Sequence, residues 1–308
     1  MVIEIRYRRP NMLYNNFSSY LKTKYGGRIS KICIDGGFGC PNRDGTCGMG
    51  GCIYCGERGA GEHIDPTLSI RDQVSSALAA DQRSRGFIAY FQNFTNTYAP
   101  INILKERYDS ALISDRIVAL AIGTRPDCID DEIATLLASY SDRVDVWVEL
   151  GLQSASDRTA ELINRGYKTE VYRRAADILK SHGIPFVTHM IIGLPGENET
   201  DIENTVSLIN ESAWGIKIHS IYVMEGTRLA EMYRDGEYIP PSREEYVRLA
   251  AKTIASLRED MIVHRITGDC PDGMLVAPEW NRDKSGIIEE IRKTLERDGL
   301  RQGSLVCK

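Results

Sequence analysis

The chain has 308 residues, of which 42% are hydrophobic and 26% are charged, and its formal net charge is −5. This composition is typical of a globular protein with one large core. The chain contains no run of about eighteen apolar residues, and its N-terminus, MVIEIRYRRP, lacks the apolar core of a signal peptide. The sequence therefore predicts a cytoplasmic protein that does not associate with a membrane.

Positive charge is concentrated at the N-terminus. Residues 1–31 contain seven Lys or Arg side chains against one acidic residue, Glu4, a net charge of +6, and Tyr and Phe side chains lie between them. Basic segments with interspersed aromatic residues neutralise phosphates and stack on bases. We interpret residues 1–29 as a basic arm that either contacts nucleic acid or packs its aromatic rings on the rest of the protein.

From residue 30 onwards, short apolar runs alternate with amphipathic stretches. The apolar runs predict strands at residues 30–36, 86–92, 116–123, 144–152, 184–193 and 216–224. The amphipathic stretches predict helices at residues 67–85, 101–112, 130–140, 170–182, 199–211 and 227–235. This α/β alternation predicts a parallel sheet covered by helices, either an open sheet or a barrel.

The pattern changes at Pro240. A helix near 242–258, a strand at 261–267 and a helix near 285–298 follow, with an irregular stretch between the last two. We therefore expect an α/β domain over residues 30–239 and a C-terminal α+β cap over residues 240–308.

A glycine-rich loop at residues 36–61 follows the first predicted strand and contains Cys40, Cys47, Cys52 and Cys55. Closely spaced glycines oppose regular structure, so another interaction must hold this loop. In a reducing compartment, clustered cysteines favour metal binding over disulfides. Four thiolates fit a structural zinc site, whereas three fit an iron–sulfur cluster with one iron left open for another ligand.

Polar residues follow several of the predicted strands. In parallel α/β folds the carboxyl ends of the strands meet at one face, where active sites lie. We expect the following residues to converge there with the cysteine loop: Gln92, Asn93, Thr124, Arg125, Gln153, His189, residues 193–197, Lys217 and His219.

The spacing C-x11-C-x2-C of Cys40, Cys52 and Cys55, with the aromatic Tyr54 before the last cysteine, resembles the signature of the radical S-adenosylmethionine (SAM) enzymes. The first gap is longer than the commonest one in that family. Within it, the chain resembles a bacterial group similar to the elongator catalytic subunit and to coproporphyrinogen dehydrogenase-like enzymes. The motifs that carry this resemblance are CPNRDG, YFQNFTNTYAP, GTRPD, ELGLQS, GLPGE, GTRL and HRITGD.

The resemblance implies a partial (β/α)6 barrel and two cofactors, a 4Fe-4S cluster and SAM. It implies that Cys40, Cys52 and Cys55 bind the cluster. Cys47 matches no ligand of the family; the alternatives for it are an incidental thiol, a fourth ligand in a resting state and part of a zinc site. The residues that the resemblance places around SAM are Tyr54, Gln92, Asn93, Thr124, Gln153, Arg165, His189, Gly193, Pro195 and Gly196.

Among these residues, Arg165 is expected to bind the methionine carboxylate of SAM, because a guanidinium holds a carboxylate through two hydrogen bonds. His189 stands where related enzymes carry an acidic residue that binds the ribose; the alternative is a hydrogen-bonded core histidine. Gly193, Pro195 and Gly196 are expected to bring the backbone close to the adenine, or else to form only the turn after the fifth strand.

By the same resemblance, the enzyme reductively cleaves SAM to a 5′-deoxyadenosyl radical that abstracts hydrogen from its substrate, with an electron donor such as flavodoxin or ferredoxin. Similarity to the elongator subunit, together with the basic arm, favours transfer RNA, at the side chain of the wobble uridine. Lys217, His219 and Arg265 are the candidates for contact with the substrate. The alternatives are a small-molecule substrate such as a porphyrin precursor, and a non-catalytic RNA-binding protein held by zinc.

Overall fold

The computed structural model describes residues 12–59, 64–65, 67–271 and 273–306. The first eleven residues of the predicted arm, the end of the cysteine loop at residues 60–61, and Cys307 lie outside the described residues. The strands are β1 (Ile29–Ile34), β2 (Gly86–Phe91), β3 (Ile117–Thr124), β4 (Asp145–Gln153), β5 (Phe186–Ile192), β6 (Gly215–Ser220), β7 (Val223–Met224), β8 (Ile262–Arg265) and β9 (Leu275–Ala277). The α-helices are α1 (Phe17–Tyr25), α2 (Ile70–Ala80), α3 (Ile101–Ala111), α4 (Asp131–Ala138), α5 (Asp157–Leu162), α6 (Thr169–Ser181), α7 (Glu199–Ser212), α8 (Arg228–Arg234), α9 (Arg243–Ala255) and α10 (Lys284–Arg297).

In the described residues, seven strands form one parallel sheet in the order β1-β2-β3-β4-β5-β6-β8. The sheet curls into a half-barrel with helices on its outer side, so the predicted partial barrel is confirmed. Its seventh strand, β8, comes from the segment assigned to the cap. The predicted sixth strand ends earlier than expected, and its last part forms β7, which pairs antiparallel with β9. The domain boundaries at residues 30 and 240 stay predictions.

The helices begin at side chains that cap them. Ser69, Asp130, Asn198 and Ser242 each accept a hydrogen bond from a backbone N–H in the first turn of the helix that follows. Helix α2 is shorter than predicted because the Asp81 carboxylate accepts bonds from the backbone of residues 83 and 84 and from Ser30 of β1, which turns the chain. No helix in the described ranges is both long enough and apolar enough to cross a membrane.

Helix α1 lies within the predicted basic arm and packs into the concave side of the sheet. Phe17 and Tyr20 are buried there, and the Phe17 ring stacks on His264 with a centroid distance of 3.8 Å. Val263 of β8 donates a hydrogen bond to the carbonyl of Asn15, so the segment before α1 lies beside the last strand of the sheet. For Phe17 and Tyr20, packing on the domain is therefore what the structure shows, rather than stacking on bases.

Candidate active site

The glycine-rich loop after β1 is held by side chains rather than by regular structure. Asn42 donates a hydrogen bond to the carbonyl of Asn164 at 2.6 Å, and the Asn164 amide donates in return to the carbonyl of Gly51 at 2.7 Å. Arg43 donates to the carbonyl of Cys55 at 3.1 Å. Gly51 has a φ of 75°, and a Cβ there would come within 2.8 Å of Arg43, so this position requires glycine.

Three of the four loop cysteines share one cavity. Cys40, Cys52 and Cys55 line it, and Cys47 is exposed and does not. Burial raises the pKa of Cys55 to about 12, and the neighbouring Cys52 contributes to this shift while Arg43 opposes it. Iron would have to displace protons from these thiols, as metal binding to cysteine does generally.

A single-ion site is not formed by these residues. Within the described ranges, no three His, Cys, Asp or Glu side chains lie close enough together to share one metal ion. A 4Fe-4S cluster binds its cysteines through different irons, so its ligands need not converge on one point. Three thiols on one cavity wall fit that donor set.

The central cavity has a volume of about 580 Å³, which is typical of a site for a small molecule or cofactor. It reaches from the cysteines into the interior of the half-barrel. The predicted site residues that line it are Tyr54, Gln92, Thr124, Gln153, Arg165, His189, Lys217, His219 and Arg265. Asn93 does not line it; that side chain is buried and donates to Asp35 at 2.8 Å.

The end of β4 adopts an unusual backbone conformation at the cavity wall. Gln153 has a φ of 66°, in the left-handed region that non-glycine residues rarely adopt, and the pairing with β5 shifts register between Gly151 and Gln153. The Tyr167 hydroxyl donates to the carbonyl of Gly151. This bulge places the Gln153 side chain on the wall where SAM was predicted to bind.

Arg165 is fully buried, and its hydrogen-bonding capacity is used within the protein. Its five N–H donors bond the carbonyls of Leu152, Ser154 and Tyr167 and the Thr169 hydroxyl. Arg165 therefore holds the loop after β4 in place. The predicted bond to the SAM carboxylate would require one of these contacts to open, and it stays a prediction.

Arg125 is a further arginine at the mouth of the barrel. Its Nε and Nη2 donate to both oxygens of Asp127 at 2.9 and 2.6 Å, and its Nη1 donates to the carbonyl of Arg165 at 2.9 Å. Because the guanidinium lies near Cys40 and Cys52, it places a positive charge beside the cysteine wall. The sequence predicts Arg125 at the carboxyl ends of the strands, where the structure places it, but predicts no role for it.

The turn after β5 contributes no predicted glycine or proline to the wall of the central cavity. Gly193, Pro195 and Gly196 do not line it. Gly193 has a φ of 99°, and a Cβ there would come within 2.7 Å of Ile221 and Pro241. Close packing of the turn explains this glycine, and the predicted approach of the turn to adenine stays a prediction.

The floor of the cavity is a buried polar network. The Glu149 carboxylate on β4 forms an ion pair with Lys217 on β6 and accepts a hydrogen bond from Nε2 of His189 on β5 at 2.8 Å. Lys217 also bonds the Tyr90 hydroxyl at 3.1 Å. Burial lowers the pKa of Lys217 to about 7 and that of His189 to about 4, although Glu149 opposes both shifts. His189 is therefore neutral at pH 7.

This network includes residues that were not predicted to belong to the site. Glu149 and Lys31 line the cavity, as does Tyr90. The available signal was a charged residue inside an otherwise apolar strand, as in VDVWVELGL and ISKICID. A charge in a buried strand indicates a partner or a ligand, because an unpaired buried charge is costly.

Comparison with protein families agrees with this geometry. A family model described as the Radical SAM superfamily matches residues 37–209, and one described as the Radical_SAM C-terminal domain matches residues 213–297. The chain belongs to the radical SAM superfamily. Its cofactors are accordingly a 4Fe-4S cluster and SAM, as the sequence predicted, and its chemistry needs a reductant.

This radical SAM chain is similar over nearly its whole length to the YtqA protein of Bacillus subtilis, with 36% identity over 302 residues that cover 96% of this chain and 94% of that protein. It is 31% identical to the tRNA uridine(34) acetyltransferase of Methanocaldococcus infernus over 198 residues, which cover 63% of this chain and 36% of that protein. Among solved structures, the archaeal Elp3 of Methanocaldococcus infernus matches 89% of this chain and 64% of its own, with a TM-score of 0.67 and 21% identity. The structural match shows that the two proteins share a fold.

Proposed function

We propose that this radical SAM enzyme modifies transfer RNA at the side chain of the wobble uridine. The observation that carries the proposal is the similarity to the tRNA uridine(34) acetyltransferase, which extends over 198 residues, 63% of this chain. The chain spans about a third of that relative's length. The proposal therefore concerns the radical chemistry and the RNA substrate, and it does not include acetyl transfer.

The residues on the cavity wall form a cofactor side and a substrate side. Cys40, Cys52 and Cys55 would hold the cluster at the mouth, and Gln153 and His189 would contact SAM beside it. When bound, the cluster and SAM supply a carbon radical that removes a hydrogen atom from the substrate. The protein's part is to orient the two reactants and to keep water away from them.

The substrate side of the cavity is the floor and the wall formed by β6 and β8, where Lys217, His219 and Arg265 lie. Lys217 has a pKa of about 7 and is held by Glu149, so it can donate or accept a proton near neutral pH. Arg265 supplies a fixed positive charge. These groups suit a substrate that carries polar or anionic groups close to the reacting carbon.

The test is SAM cleavage by cluster-loaded protein under anaerobic conditions with a chemical reductant. We expect transfer RNA isolated from cells, which already carries uridine side chains, to raise the release of 5′-deoxyadenosine several-fold over an unmodified transcript. A Cys55→Ala variant should release none. Binding of transfer RNA should weaken steeply as salt rises, because counterions are released from the phosphates.

Two outcomes of that assay would change the proposal. Equal release with and without RNA would contradict the RNA substrate. Stimulation by a porphyrin precursor, without stimulation by RNA, would establish the small-molecule alternative. We also propose the cytoplasmic location that the sequence predicts, and cell fractionation tests it. We propose flavodoxin or ferredoxin as the electron donor, and reconstitution with each of them tests that.

A further inference from the structure

A second cavity of about 430 Å³ opens at the side of the half-barrel, between β1 and β8, the first and last strands of the sheet. Lys31 of β1 and Arg265 of β8 line both this lateral cleft and the central cavity, so the two cavities meet at these side chains. Lys22 and Arg28 also line the cleft, and no acidic residue of the described chain does. Among the described residues, the lining of the lateral cleft is therefore positively charged.

Lys31 has aromatic neighbours, and the charge of Glu149 acts on it from beyond ion-pair distance. Its ammonium lies 5.1 Å from the centroid of the Tyr90 ring and 5.4 Å from that of Phe17. Across the described ranges, no carboxylate lies within ion-pair distance of it. Its side chain is exposed, so solvent and ligands in the cleft can reach it. Desolvation lowers its pKa; the charge of Glu149 opposes that shift and Arg265 adds to it.

Arg265 is only weakly compensated. Its guanidinium lies 3.6 Å from the Asp269 carboxylate, and that same carboxylate is also bonded by Lys284. The other acidic group nearby, Glu149, is already shared between Lys217 and His189. The cations at the junction thus exceed the carboxylates that could balance them, and such an excess of positive charge in a cleft attracts an anionic ligand.

We propose that Lys31 and Arg265 bind an anionic group of the substrate, a phosphate or a carboxylate, where the lateral cleft meets the central cavity. The inference rests on the proposed function only in taking the ligand to be the substrate of the radical reaction. The guanidinium supplies two parallel N–H donors and the ammonium a point charge from the opposite strand, a combination that suits an oxyanion.

The experiment measures binding rather than turnover. Cluster-loaded protein with SAM, and without reductant, is titrated calorimetrically with methyl phosphate, acetate, uridine 5′-monophosphate and uridine. Lys31→Met removes the charge and keeps the length of the side chain, and Lys180→Met, at the exposed end of α6, is the matched control. We expect the anion that binds best to bind at least tenfold more weakly to Lys31→Met and equally to Lys180→Met, with SAM affinity unchanged in both.

Preference for methyl phosphate identifies a phosphate of the substrate, and preference for acetate identifies a carboxylate; both support the inference. Absence of binding by both anions overturns it, and so does an equal loss of SAM affinity in Lys31→Met, which would assign the cation to the cofactor. If Lys31→Met does not fold, the same titration is made with Arg265→Gln on β8, which should also weaken binding of the anion. Failure of RNA to stimulate SAM cleavage would reject the proposed function and leave the result with methyl phosphate or acetate standing.

Discussion

The carboxylate of Glu149 and the ammonium of Lys217 form an ion pair inside the half-barrel, although 68 residues separate them in the chain. The two residues lie on β4 and β6, and His189 of the intervening β5 donates to the same carboxylate. Both charged side chains are almost completely buried. The pair therefore links three strands and fixes the floor of the cavity.

Glu149→Gln should destabilise the protein strongly, because Lys217 loses its ion pair and is left buried either as an unpaired ammonium or as an amine that has had to release its proton. We expect the free energy of unfolding to fall by about 3 kcal/mol, measured by urea denaturation. Glu161→Gln, an exposed change on α5, should stay within about 0.5 kcal/mol of the native protein. The double variant Glu149→Leu/Lys217→Met should be more stable than Glu149→Gln. If Glu149→Gln is as stable as the wild-type protein, the ion pair contributes nothing to stability.

Substitution of the loop cysteines should show which of them bind the cluster and whether Cys47 does. Cys40→Ser, Cys52→Ser and Cys55→Ser should each lose most of the iron after anaerobic reconstitution. Cys47→Ser should retain about four irons per chain, the content of a 4Fe-4S cluster. Iron and sulfide analysis with visible absorption measures this. Loss of iron in Cys47→Ser would assign that thiol to the cluster as well.

Glu197, in the GLPGE motif, should make stability depend on pH. Burial raises its pKa from 4.5 to about 7, and within the described part of the chain its Oε2 has no hydrogen-bond partner. The folded state therefore binds more protons than the unfolded state between these two values, so the free energy of unfolding falls as pH rises from 4.5 to 7. Glu197→Gln should abolish this slope and be more stable than wild type at pH 8 by about 3 kcal/mol.

That prediction is checked by urea denaturation of both proteins from pH 4.5 to 8, with Glu161→Gln as the reference carboxylate. Parallel curves for wild type and Glu197→Gln would show that Glu197 titrates normally.

Gly193→Ala should be more harmful than Gly183→Ala, although both positions have positive φ. At Gly193 a Cβ would come within 2.7 Å of Ile221 and Pro241, whereas at Gly183 nothing lies within 4 Å. We expect losses in the free energy of unfolding of about 3 kcal/mol at Gly193, from strain and overpacking, and about 1 kcal/mol at Gly183, from strain alone. Equal losses in thermal or urea unfolding would mean that the turn relaxes around the new methyl group.

The alternation of strands and helices could be predicted from the sequence because periodicity is a local property of the chain. Helix α1 was missed: its polar residues and its position in a basic segment resemble an arm, and only contact with Trp147 and His264 reveals its buried face. Strand β8 was predicted as a strand but assigned to a cap, because its pairing with β6 depends on residues far away in the sequence.

The sequence by itself determined the family, the α/β alternation and the cysteine spacing. Each of these depends on short stretches of the chain: motifs with particular residues at particular intervals, or a local hydrophobic periodicity. Only the tertiary structure decided which charges meet. The parallel register brings His189, Lys217 and Arg265 into one row on neighbouring strands, and the open edge of the half-barrel brings Lys31 to the same cavity. Strand register sets these contacts, and it depends on how the whole sheet packs rather than on any one segment.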